Sequence, residues 1–375
     1  MLSSIHLFPG LCLLALGLGV EVPIVRWLLQ RYSRRLVWCG AILAAAVLLL
    51  GYLIEFERVV FYFPVWWATW LECAAIMGTL GMLAVYLTLL LPRAATGFRS
   101  ERRSFLKTAG ASLCVAPAAG TVFGIITRNW FQLSEVRVPI PNLPQDLDGL
   151  RIVQITDIHL SPFLSEAELA RAIDMANATR AHLALVTGDL ISRRGDPLDA
   201  CLRQLGRLRA EAGVLGCLGN HEVYTETEDY VTARGRDLGI QFLRSQSRLL
   251  RFGGASINFA GVDYQKYANP YLRGAERMIA PGAVNVLLSH NPDVFPVAAQ
   301  QGYALTIAGH THGGQVNVEI LHQNIDVARY YTPYVRGLYT QASSSVYVSS
   351  GLGTIGVPVR IGAPPEVSLL RLCAT

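Results

Sequence analysis

The sequence predicts an α/β domain preceded by an all-α membrane anchor. Two observations carry this. The first third of the 375 residues is apolar and nearly free of acid. The rest alternates short apolar runs with segments of helical spacing, and five of the runs end in Asp, Asn or His. That order of elements is α/β.

The anchor is read from four uncharged runs, Leu2 to Val20, Leu36 to Ile54, Ala74 to Leu91 and Thr108 to Thr127. Each is close to the roughly 20 apolar residues that cross a bilayer. Phe61, Tyr62, Phe63, Trp66, Trp67 and Trp70 precede the third run and fit an interfacial aromatic belt. Up to residue 134 the chain carries 11 Lys and Arg against 5 Asp and Glu; beyond it the figures are 21 and 22. The basic excess therefore belongs to the anchor and gives no reason to expect nucleic acid.

Orientation follows from where those basic residues lie. Arg26, Arg31, Arg34 and Arg35 separate the first two runs. Arg93, Arg99, Arg102, Arg103 and Lys107 separate the last two, whereas the middle loop has Glu55, Glu57 and Arg58. Positive-inside logic keeps both basic clusters in the cytoplasm and delivers everything after Arg128 to the extracytoplasmic, periplasmic side. The expected location is thus the cytoplasmic membrane, multi-pass. Pro139, Pro141 and Pro144 read as extended chain. The expected organisation is an anchor over 1–128, a linker over 129–145 and a catalytic domain over 146–375.

Within that domain, strands are expected at 151–156, 183–187, 214–218, 249–252, 257–260, 284–288, 304–307, 346–348 and 367–370. Helices are expected at 166–178, 198–208 and 230–238. Gly253-Gly254 marks a hairpin. The strands at 151, 183, 214, 284 and 304 run into Asp157, Asp189, Asn220, His290 and His310. In open α/β sheets the functional crevice lies beyond the carboxyl ends of strands, so these residues converge.

The convergent set is Asp157, His159, Asp189, Asn220, His221, His290, His310 and His312. It contains five of the eight histidines. Carboxylate, imidazole and amide oxygen suit Mn, Fe, Zn or Mg, and the set is too large for one ion of ordinary coordination. The seven cysteines show no Cys-x-x-Cys spacing and are expected to be small buried hydrophobes. His182 and His322 are expected to be structural and solvated, and Glu222 a helix-start residue supporting its neighbours.

Five blocks in order, Asp157-Ile158-His159, Gly188-Asp189, Gly219-Asn220-His221-Glu222, His290 and Gly309-His310-Thr311-His312, resemble the signature of the calcineurin-like metallophosphoesterases. Gly313-Gly314-Gln315, Ser350-Gly351-Leu352-Gly353 and Arg360-Ile361-Gly362-Ala363-Pro364-Pro365-Glu366 resemble the membrane-attached bacterial phosphodiesterases of that superfamily. The resemblance implies a four-layer α/β/β/α sandwich. It implies that Asp157, His159 and His312 hold one metal, that Asn220, His290 and His310 hold a second, and that Asp189 bridges them. His221 would serve catalysis without binding metal. Two ions roughly 3.5–4 Å apart can activate a shared water for in-line attack on phosphorus. Arg360, in the tail motif, is expected to contact substrate; Tyr264, Tyr267, Arg329, Tyr330, Tyr331 and Arg336 are weaker candidates.

Glu101-Arg102-Arg103-Ser104-Phe105-Leu106-Lys107 resembles a twin-arginine export signal, with Glu101 where such signals have Ser or Thr. An uncleaved anchor is expected, because the small residues Ala116-Pro117-Ala118 sit inside the fourth run. The expected function is a phosphodiesterase acting on an envelope or lipid-linked phosphoester, with the bilayer as partner and no protein partner in view. The alternatives are a UDP-diacyl-sugar pyrophosphate hydrolase of lipid A assembly and a non-catalytic metal-binding sensor or scaffold.

Overall fold

The computed structural model describes residues 4–53, 65–94, 119–265, 271–320 and 323–375. The chain divides into two units, residues 1–125 and, in the main, residues 126–355 with 359–375.

In the first unit, three helices are long and apolar: α1 (Ser4–Leu29), α2 (Arg34–Leu53) and α3 (Val65–Ala94). Each contains a stretch able to cross a membrane, Leu11–Leu29, Arg34–Leu53 and Trp67–Leu90. The first helix runs past the expected end at Val20 to include Glu21 and Arg26. The third begins in the aromatic belt rather than after it. Close packing explains the small residues: a Cβ on Gly51 of α2 would strike Ala75 and Leu71 of α3. Beside it the Tyr52 hydroxyl meets Thr79 Oγ1 at 3.0 Å. Cys12 and Cys39 lie on exposed faces, whereas Cys73, Cys201 and Cys217 are buried as expected. Residues 119–127 are helical. The rest of the expected fourth span, and the twin-arginine-like segment, lie outside the described residues.

The second unit is built on two six-stranded sheets. The first has the order β1 (Gln132–Ile140), β14 (Glu366–Ala374), β2 (Arg151–Ile155), β3 (Leu183–Thr187), β4 (Val214–Cys217), β5 (Ile240–Phe242). The second has β12 (Gly337–Gln341), β13 (Ser344–Val348), β9 (Leu305–Ala308), β8 (Val284–Leu288), β7 (Ala255–Gly261), β6 (Gln246–Phe252). β2 to β5 are parallel, as are β13, β9, β8 and β7. A hairpin, β10 (Asn317–Ile320) with β11 (Gln323–Asp326), stands apart.

Alternation along the strands makes the layers. Ile152, Leu183 and Leu185 point inward, where they meet Ile257, Phe259, Val286 and Ile307 of the second sheet. Val153, Ile155, Ala184 and Val186 point outward, against Leu169 and Ile173 of α4 (Glu166–Ala178) and Leu202 and Leu205 of α5 (Leu198–Leu205). On the far side, Phe295 and Ala298 of α8 (Phe295–Gln301) cover Ala308, Val346 and Leu287. The result is the four-layer α/β/β/α sandwich. Two short helices, α6 (Asn220–Thr225) and α7 (Glu228–Asp237), follow β4 and lead to β5.

The expected linker is a strand instead. Gln132–Ile140 pairs in parallel with the whole of β14, and Val138 and Ile140 enter the core between the sheets. Pro139 is compatible because β1 is an edge, where a missing N–H costs no ladder bond. Arg128 and Asn129 already bond to the Phe163 carbonyl, so the domain begins upstream of the expected 146.

Candidate metal centre

Five strand ends meet as expected, but from both sheets: β2, β3 and β4 of the first and β8 and β9 of the second. Gln154 ties the two together there, its Nε2 donating to the Ala308 carbonyl of β9 at 2.9 Å. The chain turns sharply at the site. Asp157, His159, Asp189, His310 and His312 all have positive φ, between 47° and 77°. Such conformations cost about 1–3 kcal/mol each in non-glycine residues and persist where function holds them. Glycine is needed where loops meet; a Cβ on Gly219 would fall on the Asp189 carboxylate.

Three groups of side chains bring their ligand atoms within 4.8 Å of one another: Asp157, His159 and His312; His159, Asp189 and His221; Asp189, His290 and His310. Asp189 belongs to two of them. Its Oδ2 lies 3.5 Å from His159 Nε2 and 3.0 Å from His290 Nε2. Its Oδ1 accepts from the His221 backbone N–H at 2.9 Å. Asp157 accepts from the His310 backbone N–H and from Thr156 Oγ1, while His312 Nε2 approaches its Oδ1 at 3.5 Å.

The far nitrogens of the imidazoles are anchored. His290 Nδ1 donates to the Thr187 carbonyl at 2.7 Å, and His221 Nδ1 to the Ser192 carbonyl at 2.6 Å. His159 Nδ1 sits 3.2 Å from Ser192 Oγ. Such bonds fix the ring and the tautomer of a metal ligand. The inward atoms are left over: His159 Nε2, His290 Nε2, His312 Nδ1 and Asn220 Oδ1 are buried without a hydrogen-bond partner. His290 Nε2 is near Asp189 but off the line a hydrogen bond needs. Buried polar atoms left unpaired cost stability, and a divalent cation would satisfy all of these at once. The residues present thus fit divalent metal binding.

Electrostatics agree. Burial pushes His221 down to about 4, His310 down to about 3 and His312 well below the usual imidazole range, so these rings are neutral, the form in which an imidazole can bind a metal. Burial acts the same way on His290, but Asp189 and Asp157 outweigh it and lift the ring to about 10. Burial raises the Asp157 carboxyl, with Asp189 adding to it. Burial would also raise Asp189, but His290 and His221 hold it well below the usual carboxylate range. Asp157 and Asp189 offer the oxygen donors that a harder cation takes.

Arg360 does not face this cavity. It is 2% exposed, and its guanidinium is spent on carbonyls: Ala363 at 2.9 Å, Ser350 at 2.8 Å, Gly351, His312 and Gly353. It fastens the 350–353 loop and the His312 turn from behind, which corrects the expectation of a substrate contact. Glu222 is the other hub. Fully buried, it accepts from the backbone N–H of Asp189, Leu190 and Gly219 at 2.9, 2.8 and 2.7 Å. Tyr264 lies against His310, ring centroids 5.5 Å apart. His182 accepts from the Arg151 N–H and is structural, as expected. Tyr267 and His322 fall outside the described residues. Ser192 and Thr156, which orient the ligands, were not visible in the sequence; a lone Ser or Thr carries no signal of its partner.

A layered sandwich with carboxylates and histidines clustered at its strand ends fits a metal-dependent hydrolase. Residues 150–314 match the calcineurin-like phosphoesterase family. The chain is 29% identical over 288 residues to the uncharacterized metallophosphoesterase YkuE of Bacillus subtilis, covering 74% of this chain and 99% of that protein. It is 30% identical over 260 residues to the transmembrane protein with metallophosphoesterase domain of Bos taurus, covering 64% of this chain and 57% of that one. The uncharacterized metallophosphoesterase Cj0846 of Campylobacter jejuni is 30% identical over 245 residues, 64% of this chain and 63% of the relative. The match over residues 150–314 and the names of these relatives support a metallophosphoesterase, a hydrolase of phosphoric ester bonds.

Proposed function

We propose that this chain is a membrane-anchored phosphodiesterase with two divalent metals, acting outside the cytoplasm on an envelope or lipid-linked phosphoester. The observation that carries the reading is the position of Asp189, shared between a group with His159 and a group with His290 and His310. Only an acid can sit between two cations and offset both. On one side Asp157, His159 and His312 would hold an ion; on the other Asn220, His290 and His310, with Asn220 giving oxygen without added charge. Bound there, two ions supply charge neutralisation at the phosphoryl oxygens and acidify a water nucleophile.

His221 is the proposed catalytic side chain. Its Nδ1–H is committed to the Ser192 carbonyl, so Nε2 is the atom presented to substrate. Burial keeps the ring neutral. An anionic phosphoester beside it favours the charged form, which can then give a proton to the leaving oxygen. His221 also stands near enough to Asp189 and His159 to reach a metal. The two roles are separated by metal content, as argued below.

The test is turnover of a soluble aryl phosphodiester by the full chain in detergent, with manganese and other divalent ions, metal content being measured in the same sample. Asp189→Ala is expected to abolish both activity and loading. A wild-type chain with metals bound that turns over neither this substrate nor lipid phosphates would support a scaffold. Sidedness is tested by reporters fused after residue 128. A cytoplasmic reporter would overturn the extracytoplasmic placement and revive a cytosolic UDP-diacyl-sugar substrate.

A further inference from the structure

The loop that holds His310 and His312 carries an excursion that the site itself does not use. The chain leaves at Gln315, forms the β10–β11 hairpin and a turn over Ala328–Tyr330, and comes back to Val335, whose carbonyl accepts from Thr311 Oγ1 at 2.5 Å. Asp326 pins its base. The Asp326 side chain is fully buried, its Cβ lies where a Cβ on Gly314 would need to be, and it accepts from the backbone N–H and Nε of Arg329 at 2.9 and 3.0 Å. The excursion is thus a held structure, built directly onto the turn between two proposed metal ligands.

Its outer surface is apolar where a soluble surface would not be. Val327 is 66% exposed, Tyr330 83% and Tyr331 76%, with Val316 and Val318 also exposed. Single exposed hydrophobes are ordinary; five on one short excursion, three of them within Val327–Tyr331, are not. Among the described side chains of 315–336 the exposed charges are Arg329 and Arg336, both cationic. Tyrosine with aliphatic residues and arginine is the composition of membrane interfaces, where the ring body sits among acyl chains and the hydroxyl and guanidinium meet headgroups.

We propose that the Val327–Tyr331 turn dips into the bilayer interface, with Val327, Tyr330 and Tyr331 entering the headgroup boundary and Arg336 meeting lipid phosphates. The occupant is a bilayer because the same chain carries three helices of span length and apolarity, which hold it at one. The exposed Arg336 also complements anionic headgroups. The consequence for catalysis is that lipid phosphates are brought beside the His310–His312 turn. That consequence rests on the lipid-linked substrate proposed above; the insertion does not.

The experiment reads insertion without activity. The full chain is reconstituted in vesicles of phosphatidylcholine and phosphatidylglycerol with a photoreactive benzoylphenylalanine replacing Tyr330, and adducts are identified by mass spectrometry. Replacement of Leu43, exposed on α2, serves as the positive control, and of Leu249, exposed on β6, as the negative one. Lipid adducts at 330 and 43 but not at 249 are expected. Adducts at 43 with none at 330, or adducts at 330 only with protein, would overturn the proposal. In a second arm, Val318→Ser with Val327→Ser should leave turnover of the soluble aryl phosphodiester within about twofold and cut turnover of a vesicle-borne phosphatidyl ester at least fivefold. Adducts at 330 with no loss of vesicle turnover would keep the insertion and sink the substrate consequence.

Discussion

At the scale of single residues, the site separates groups that face the cavity from groups that hold them. His221 is of the first kind. His221→Ala should leave two metals bound and lower kcat on an aryl phosphodiester by ~100-fold or more, the usual range for losing a general acid. Metal analysis of the variant decides the role: loss of one ion along with the activity would make His221 a ligand. Glu222 and Arg360 are of the second kind. Glu222→Ala strands three buried N–H groups, each costing about 1–3 kcal/mol, so a loss on the order of 5 kcal/mol is expected in the melt of the domain. Arg360→Lys cannot reach all its carbonyls; leaving two unpaired costs about 3 kcal/mol, or roughly 10 °C in Tm for a domain of this size. Below that Tm, KM should stay unchanged. A raised KM with an unchanged melt would restore Arg360 as a substrate contact. The candidate ligands Asp157, Asp189, Asn220, His290 and His310 were legible in sequence because each follows its own apolar run. Glu222 was legible as a support of its neighbours but not its bonds to Asp189 and Leu190, and the carbonyls that hold Arg360 were not legible at all, because a backbone partner leaves no mark in residue type.

At the scale of elements, the strand-to-loop turns govern the site, since they aim ligands through left-handed backbone. The 349–353 loop shows how tightly. Gly351 has φ of 66°, and a Cβ there would fall on Asp157. Glu366, at the start of β14, holds this loop by accepting from Ser349 Oγ at 3.0 Å and the Ser350 N–H at 2.9 Å. Gly351→Ala adds both strain and a clash against a proposed ligand. It should weaken metal binding by at least tenfold in a titration while the far-ultraviolet circular dichroism stays native. Unchanged affinity would show that the loop yields and does not position Asp157. The central strands were legible because both their faces are buried, which leaves continuous apolar runs. β5, β10 and β12 were not: they are short, at an edge or in a free hairpin, and half solvated, so little in their composition sets them apart from loop.

At the scale of the whole molecule, the first sheet is the frame of the site, and its edge was the least legible part of the chain. Prolines marked 129–145 as a tether, yet Gln132–Ile140 pairs with β14 along its full length, and β14 in turn flanks β2, the strand that delivers Asp157. Sequence reading failed here for a physical reason: a proline at a sheet edge and a proline in a linker obey the same local rule, and only the partner strand, more than 200 residues away, tells them apart. The difference is measurable. A chain starting at residue 126 keeps β1; one starting at 146 removes it, withdrawing Val138 and Ile140 from the core and baring the ladder groups of β14. Two buried aliphatic side chains are worth about 4 kcal/mol together, a large share of the ~5–15 kcal/mol that holds a domain folded. A bare, apolar edge strand also invites pairing between copies. The longer chain should therefore melt cooperatively as a monomer and load metal, and the shorter one should melt at least 10 °C lower or aggregate during purification. Equal melts and equal metal loading would mean that β1 adds nothing the core requires, and that 129–145 acts as a tether that happens to lie along the sheet.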